Sequence, residues 1–210
     1  MRSVLRRRSV ASSTLPHRKR EVHLKIAFTG SSSTGKTTLA DFLRAEVRFQ
    51  TRITDFITTD ARGLLDSLGH TSMDLMSPDS LRTFQRQYLA RKLELEKGKD
   101  HYFTDRSFVD VAAYWIVRDS AGLSTEECET VIEQCRLAAA RYDLHVYFPF
   151  GVIPFKSDGY RSEDYEGHRK IDDCIQGLLE KWSISFLRLV GDDLQARAET
   201  VLEALLRRDQ

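Results

Sequence analysis

The sequence lacks the features by which membrane-spanning and disulfide-bonded proteins are recognised. No apolar run approaches the roughly 20 residues that a membrane helix needs. Only three of the 210 residues are cysteine, and no two of them form a C-x-x-C pair. These absences predict reduced thiols, a cytoplasmic location and no membrane association. With 41% hydrophobic and 30% charged residues, the chain is typical of a soluble globular protein of one domain.

Acidic residues are missing from the N-terminal stretch. Residues 1–20 hold seven basic side chains and no carboxylate, whereas the remainder of the chain holds 25 basic and 31 acidic residues. An acidic body is unfavourable for a sequence-independent nucleic-acid binder, whose affinity comes from phosphate neutralisation, so no nucleic-acid partner is expected. Residues 1–21 are predicted to be a disordered basic tail. Their Arg- and Ser-rich composition leaves open both an organelle transit peptide and a plain leader.

Beyond the tail, short apolar runs alternate with stretches of helical periodicity. Predicted strands cover residues 23–29, 51–60, 101–105, 143–149 and 184–190. Predicted helices cover residues 36–49, 62–69, 78–97, 107–122, 124–141, 168–182 and 193–207. Ser107 and Ser124 each precede an acid by three residues, which is the spacing of a helix capping box.

This alternation predicts the fold class and the domain organisation. Strands that alternate with helices favour an α/β fold of three layers, in which a parallel sheet is flanked by helices. Residues 22–210 are expected to form this single domain. Turn residues and charges within residues 151–167 predict an exposed loop. Together with the start of the next helix, to about residue 170, it is predicted to act as a lid over the site.

One stretch carries a specific chemical signature. The segment "GSSSTGKT" at residues 30–37, called the phosphate loop below, fits the pattern G-x-x-x-x-G-K-[ST] at every fixed position. Its glycines let the backbone curl so that N–H groups point at phosphate oxygens, and the following helix adds the positive end of its dipole. Lys36 is predicted to bridge the β- and γ-phosphates of ATP, and Thr37 to offer its hydroxyl to Mg²⁺. The residues predicted to hold ATP are Gly30, Ser31, Ser32, Ser33, Thr34, Gly35, Lys36, Thr37 and Thr38.

The context of the loop, and the motifs that the chain lacks, indicate which class of phosphate-loop protein it belongs to. A chance match in a Gly/Ser turn is disfavoured by the apolar strand before the loop and the amphipathic helix after it. The chain has no N/T-K-x-D string, with which a GTPase reads its base, and no LSGGQ-like string, which marks a transporter ATPase. It is too short for the second, helical domain of a ring-forming ATPase. The remaining class is a small-molecule kinase that uses ATP.

An acid and an arginine follow directly after the predicted third strand. Ligand sites of parallel sheets lie at the carboxyl ends of the strands, where Asp105 and Arg106 are placed. Asp105 is predicted to hold Mg²⁺ or to accept a proton from an attacking hydroxyl. Arg106 is predicted to grip a phosphate or sugar oxygen of the substrate. The alternative is an N-capping Asp beside a surface Arg.

Two further groups are predicted to face the same cleft. Asp60 and Arg62 follow the predicted second strand and are candidates to contact the phosphate acceptor, with a surface ion pair on a helix start as the alternative. Arg161, Arg169 and Lys170 of the predicted lid are candidates to neutralise the transferring phosphate and to exclude water. A solvated charged loop is the alternative interpretation of the lid.

Several aromatic and histidine residues are interpreted as structural. The predicted core stripes contain Leu81, Phe84, Tyr88 and Leu95 in one helix and Phe108, Val111, Tyr114 and Trp115 in the next. One aromatic of the first stripe is left open as a stacking partner for a base. The scattered histidines have no metal-ligand spacing.

The order of these motifs resembles the NadR-like AAA-type kinase family, to which the ribosylnicotinamide kinase domain belongs. The similarity covers roughly residues 22–208 and is carried by "FTGSSSTGKTTLADFL", "DARGLLDSLG", "FQRQYLARKLELE", "DRSFVDVAAYW" and "DGYRSEDYEGHRKID", in that order. The resemblance implies a phosphate-loop NTPase fold of the nucleoside-kinase kind, use of ATP and Mg²⁺, and a nucleoside acceptor such as nicotinamide riboside. A nucleoside monophosphate kinase and an ATP-binding regulatory switch are the alternatives, and a homodimer is left open.

The resemblance also implies roles for particular residues. The predicted catalytic residues are Lys36, Asp105 as the strand-end acid, and Arg161 as the lid arginine. Asp158, which shortly precedes that arginine, is a candidate for substrate binding. Many family members carry Glu where this chain has Asp60, so the predicted acceptor contact rests here on a shorter acid.

Overall fold

Five short strands form the centre of the fold. The computed structural model of the chain describes residues 23–155 and 164–208. Its strands lie in the order β2-β3-β1-β4-β5, and every neighbouring pair is parallel. The strands are β1 (Leu24–Thr29), β2 (Asp55–Ile57), β3 (His101–Thr104), β4 (Leu144–Tyr147) and β5 (Phe186–Arg188). This arrangement confirms the predicted parallel sheet of an α/β fold.

Helices connect the strands and flank the sheet. They are α1 (Lys36–Ala45), α2 (Val47–Gln50), α3 (Ala61–Ser67), α4 (Pro78–Glu96), α5 (Phe108–Tyr114), α6 (Thr125–Ala139), α7 (Tyr165–Lys181) and α8 (Leu194–Arg207). A 3₁₀ turn covers Met73–Leu75, and a π turn covers Trp115–Asp119. Both predicted capping boxes are confirmed, Ser107 with Asp110 at α5 and Ser124 with Glu127 at α6.

Some element boundaries differ from the prediction. The predicted helix over 36–49 is divided into α1 and α2, because Glu46 between them is extended, with φ −84° and ψ 117°. The predicted second strand is reduced to three residues, in line with its weak apolar content. Helix α7 begins at Tyr165 rather than near residue 168, because the Asp164 side chain accepts a hydrogen bond from the Gly167 N–H at 2.9 Å and caps it. The end of the predicted loop is therefore helical.

The core consists of two hydrophobic clusters, one on each face of the sheet. Side chains alternate along a strand, so Ile26 and Phe28 of β1 pack with α1, α2 and α8 on one face. Ala27 of β1 packs with α3 to α7 on the other face. Burial on both faces explains why the central strands are continuous apolar runs.

The predicted stripe on α4 is only partly confirmed. Phe84 and Tyr88 are buried, but Leu95 is 37% exposed, because Lys92 and Glu96 occupy the inward positions at that end of the helix.

Within residues 23–155 and 164–208, no helix has both the length and the apolar content to cross a bilayer. All three cysteines are free thiols.

Candidate functional site

The phosphate loop joins the end of β1 to the start of α1. Ser33 and Gly35 lie in the left-handed region, with φ 61° and φ 83°, so the loop curls tightly. A Cβ atom on Gly30 would lie 2.5 Å from the Phe148 carbonyl oxygen, so only glycine permits this approach to the end of β4. Gly35 is the N-cap of α1 and makes no side-chain capping bond. Because glycine has no side chain that could accept a hydrogen bond, the N–H groups of the first turn of α1 receive no side-chain cap from Gly35.

Lys36 lies across the phosphate loop. Its buried ammonium donates hydrogen bonds to the carbonyl oxygens of Gly30 at 2.7 Å and Ser31 at 2.5 Å, and to Thr34 Oγ1 at 3.1 Å. Thr37 and Thr38 are exposed in the first turn of α1. The loop thus combines a positive charge, a helix N-terminus and exposed hydroxyls, which is a favourable environment for phosphate.

A buried carboxylate ties the loop to the turn after β3. Asp110 Oδ1 accepts the Gly30 N–H at 2.9 Å, and its Oδ2 accepts both the N–H and the hydroxyl of Ser107 at 2.9 Å. The Ser107 hydroxyl also lies 3.2 Å from Thr29 Oγ1 at the end of β1. The sequence predicted Asp110 as a capping residue only. Its contact with the phosphate loop was missed.

Asp105 and Arg106 follow β3 at the same edge of the sheet. The N-cap of α5 is Ser107, so the alternative of an N-capping Asp105 is wrong. One carboxylate oxygen of Asp105, Oδ1, is buried and has no hydrogen-bond partner in the described part of the chain. Burial raises the pKa of Asp105, whereas the nearby positive charges of Arg106, Lys92 and Lys36 lower it. The strand-end acid therefore lies within electrostatic reach of the phosphate-loop lysine.

Tyr114 links Arg106 to the phosphate loop. The guanidinium carbon of Arg106 lies 5.6 Å from the centre of the Tyr114 ring. The Tyr114 hydroxyl lies 3.0 Å from Ser32 Oγ. The sequence predicted Tyr114 as a core residue, but it is only half-buried, because its hydroxyl reaches the loop. Helical spacing identified the inward face of α5 and gave no sign of this polar contact.

The predicted acceptor residues lie at the start of α3. Asp60 is exposed and caps α3, where its Oδ1 accepts the Gly63 N–H at 2.8 Å. Arg62 is exposed in the same helix. Two buried hydroxyls that the sequence did not predict as part of the site, those of Thr59 and Tyr88, lie next to each other here. Burial raises the pKa of the Tyr88 phenol, and the Arg106 charge opposes that rise.

The predicted lid is described only in part. Asp158 and Arg161 lie outside the described residues, so their roles stay predictions. Arg169 and Lys170 are exposed in the first turns of α7. They lie on a helix, as the predicted helix over residues 168–182 placed them.

A second buried acid near the loop was missed. Asp172 of α7 accepts hydrogen bonds from the Tyr147 hydroxyl at 2.8 Å and from the Phe150 N–H at 3.0 Å. Burial raises the pKa of Asp172, while these hydrogen bonds and the positive charge of Lys36 lower it. Asp172 is the last residue of the segment "DGYRSEDYEGHRKID", on which the family resemblance partly rests. Nothing in the neighbouring sequence indicates that its side chain is buried.

Comparison with known proteins bears out the fold and the resemblance. A family model described as AAA domain matches residues 25–197. No curated protein matches the chain. Among solved structures, NadR protein in complex with NR superposes with a TM-score of 0.62 at 21% identity, over 89% of this chain and 51% of that chain. The chain therefore spans about half the length of NadR.

Two other solved structures cover nearly their whole chains. Deoxyadenosine kinase from M. mycoides, with products dCMP and a flexible dCDP bound, superposes with a TM-score of 0.64 at 16% identity, over 88% of this chain and 99% of that chain. Thymidylate kinase from Ehrlichia chaffeensis superposes with a TM-score of 0.58 at 16% identity, over 88% of this chain and 98% of that chain. At these identities the likeness establishes the fold.

Proposed function

The chain belongs to the AAA domain family, and from this premise we propose that it transfers a phosphate from ATP to a hydroxyl of a small nucleoside-like acceptor. One observation carries the proposal. The phosphate loop and the Asp105–Arg106 pair meet at one edge of the sheet, joined by the Asp110 carboxylate and the Tyr114 hydroxyl. A phosphate-binding loop beside an acid with an unpartnered buried oxygen is the arrangement that phosphoryl transfer requires.

The residues of the site take the following roles. Lys36 and the N–H groups of the phosphate loop bind the phosphates of ATP and stabilise the charge that spreads over them during transfer. Asp105 positions the acceptor hydroxyl and accepts its proton. Arg106 contacts an acceptor oxygen. The lid arginine, Arg161, excludes water, which would otherwise hydrolyse ATP.

The site residues fit Mg²⁺, which would supply positive charge to neutralise the phosphates during transfer. Mg²⁺ is held by one or two carboxylates together with phosphate oxygens and water, rather than by a full set of protein ligands. The Asp105 carboxylate and the Thr37 hydroxyl would be a donor set of this kind.

Nicotinamide riboside is the first acceptor to test. The order of motifs along the chain supports it, and so does the fold that the chain shares with NadR, which was solved in complex with NR. A nucleoside monophosphate is the second candidate, because the chain covers nearly all of a thymidylate kinase fold. Both acceptors offer a hydroxyl or phosphate oxygen beside a sugar, which suits Asp105 and Arg106.

Acceptor-dependent ADP release tests the proposal. Purified protein with ATP and Mg²⁺ is incubated with a panel of nucleosides, including nicotinamide riboside, and nucleoside monophosphates. We expect one acceptor to raise ADP release well above the rate with ATP alone. Lys36→Ala removes this rise, and Lys97→Ala, which alters an exposed lysine, retains it. Tight ATP binding with no response to any acceptor would contradict the kinase and favour a nucleotide-sensing switch.

A further inference from the structure

Arg197 of α8 reaches the underside of the phosphate loop. The helix begins where Asp193 Oδ1 accepts the Ala196 N–H at 2.6 Å, and Ala198 and Val201 bury its apolar face against the sheet. This anchoring places residue 197 in the first turn, next to the loop. The Arg197 side chain is buried there, with 2% of the residue exposed.

The guanidinium is enclosed by three groups. Its Nη2 donates a hydrogen bond to the Thr34 carbonyl oxygen at 3.3 Å. Its central carbon lies 4.9 Å from the centre of the Phe148 ring. A Cβ atom on Gly35 would lie 2.9 Å from Nη1 and 2.5 Å from the Ile153 side chain. The second glycine of the motif therefore lets this cation approach the backbone of the loop.

The charge of Arg197 is not matched by a carboxylate. In the described part of the chain Arg197 forms no ion pair, and its Nε is buried without a hydrogen-bond partner. Burial lowers the pKa of Arg197, while the charge of Asp192 raises it, and a guanidinium remains protonated in proteins. A buried cation without a counter-ion costs stability unless a bound anion or dipole compensates it.

We propose that Arg197 is a positioning residue for the phosphate chain of a bound nucleotide. The Thr34 carbonyl and the Gly35 N–H belong to the same peptide group. A hydrogen bond donated to that carbonyl polarises the peptide and makes its N–H a stronger donor on the opposite, phosphate-binding side of the loop. The buried guanidinium also adds positive potential where the low dielectric preserves its strength.

The ligand would be a nucleoside di- or triphosphate. Arg197 contacts the phosphate loop and not the ligand, so it acts on the ligand through the loop. This assignment rests on the proposed function, because it assumes that the loop binds ATP. It adds a cation from the opposite end of the chain to those that the motif itself supplies. Its effect should be present for ligands that carry a phosphate chain and absent for a nucleoside without one.

The affinities of ATP, ADP and adenosine for the Arg197→Met variant test the assignment. By titration calorimetry, we expect the Kd of ATP and ADP to rise about ten-fold, the scale of one lost charge-assisted hydrogen bond. Adenosine, titrated at millimolar concentration, binds as it does to the wild type. The matched control is Arg188→Met, since Arg188 also stacks on an aromatic ring, Tyr147, but bonds to Gln176 instead of the loop.

Three outcomes would overturn the assignment. An equal loss for adenosine would make Arg197 a base contact, and unchanged ATP affinity with a lowered Tm would make it a packing residue. A wild-type protein that binds no nucleotide would overturn the proposed function as well. If Arg197→Met does not fold, Arg197→Leu, which also removes both the hydrogen-bond donor and the charge, is measured in the same way. Weakened ATP binding then supports the assignment, and wild-type affinity overturns it.

Discussion

At the residue scale, the carboxyl group of Asp105 is subject to two opposing effects. Burial raises its pKa, and the positive charges of Arg106, Lys92 and Lys36 lower it. A general base works best when such opposing effects bring its pKa towards the working pH. Under the proposed function, its unpartnered oxygen would accept the proton of an incoming hydroxyl.

Replacing Asp105 with Asn should remove this chemistry and leave nucleotide binding intact. We expect Asp105→Asn to reduce phosphate transfer at least ~100-fold, the scale of lost acid–base help and charge stabilisation. Steady-state rates with the identified acceptor give the result, and the Kd of ATP shows whether the loop is preserved. Asp41→Asn, which changes an exposed carboxylate of α1, serves as the control. Full activity of Asp105→Asn would remove Asp105 from the mechanism.

The sequence predicted those parts of the candidate site that are encoded by residues close together in the chain. The phosphate loop was predictable because its motif fixes glycines and a lysine within eight consecutive positions. The bond between Gly30 and Asp110 joins positions 80 residues apart, and that between Thr34 and Arg197 joins positions 163 residues apart. No local pattern encodes such pairs, because the packing of whole helices brings them together.

At the element scale, α4 carries a buried ion pair that fixes it to the sheet. Lys92 Nζ lies 2.6 Å from Glu96 Oε1 and donates to Thr104 Oγ1 at 2.8 Å, at the end of β3. Glu96 also accepts the hydroxyls of Tyr102 at 2.9 Å and Tyr142 at 2.8 Å. This network joins α4, β3 and the segment before β4, directly below the strand-end acid.

Breaking this pair should destabilise the fold strongly. We expect Lys92→Met to lower the free energy of unfolding by about 3–5 kcal/mol, because it leaves the Glu96 carboxylate buried without its cation. Urea denaturation measures the change. Arg91→Met, which replaces the exposed neighbour on the same helix, should change stability by no more than about 0.5 kcal/mol. A loss for Lys92→Met as small as that for Arg91→Met would contradict the structural role of the pair.

The existence of most elements was predictable, and their ends were less so. Capping boxes such as that of Ser107 are local, so the structure confirms them. The division at Glu46 and the early start of α7 at Tyr165 depend on backbone conformation and on a single Asx cap. The inward position of Lys92 was not predictable, because polar residues are normally assigned to the exposed face of a helix.

At the scale of the whole molecule, stability should depend on pH through His145 of β4. This residue is 1% exposed, and its Nε2 lies 3.1 Å from the Ala139 carbonyl oxygen. Burial lowers the pKa of His145 from 6.5 to about 4, while Asp110 raises it and Lys92 lowers it further. The folded protein therefore keeps this imidazole neutral at pH values where the unfolded chain protonates it.

Acidification should therefore favour unfolding in a defined window. Between about pH 6.5 and pH 4 the His145 imidazole is protonated in the unfolded chain but neutral in the folded protein. The contribution of His145 to stability therefore falls as the pH drops through this window. The full shift corresponds to about 3 kcal/mol. Urea denaturation of the wild type and of His145→Gln at a series of pH values measures the contribution. An unchanged pH dependence in His145→Gln would contradict the prediction.

The two hydrophobic clusters have a consequence for how such a protein diverges. The start of α3 and Tyr88 lie on the face covered by α3 to α7, whereas α1 and α8 cover the other face. The charges of Asp105 and Arg106 act on Tyr88. Mutations that repack the α1 and α8 face can therefore accumulate without altering the packing around Tyr88. Under the proposed function, a lineage could keep its acceptor while the packing behind the phosphate loop changes.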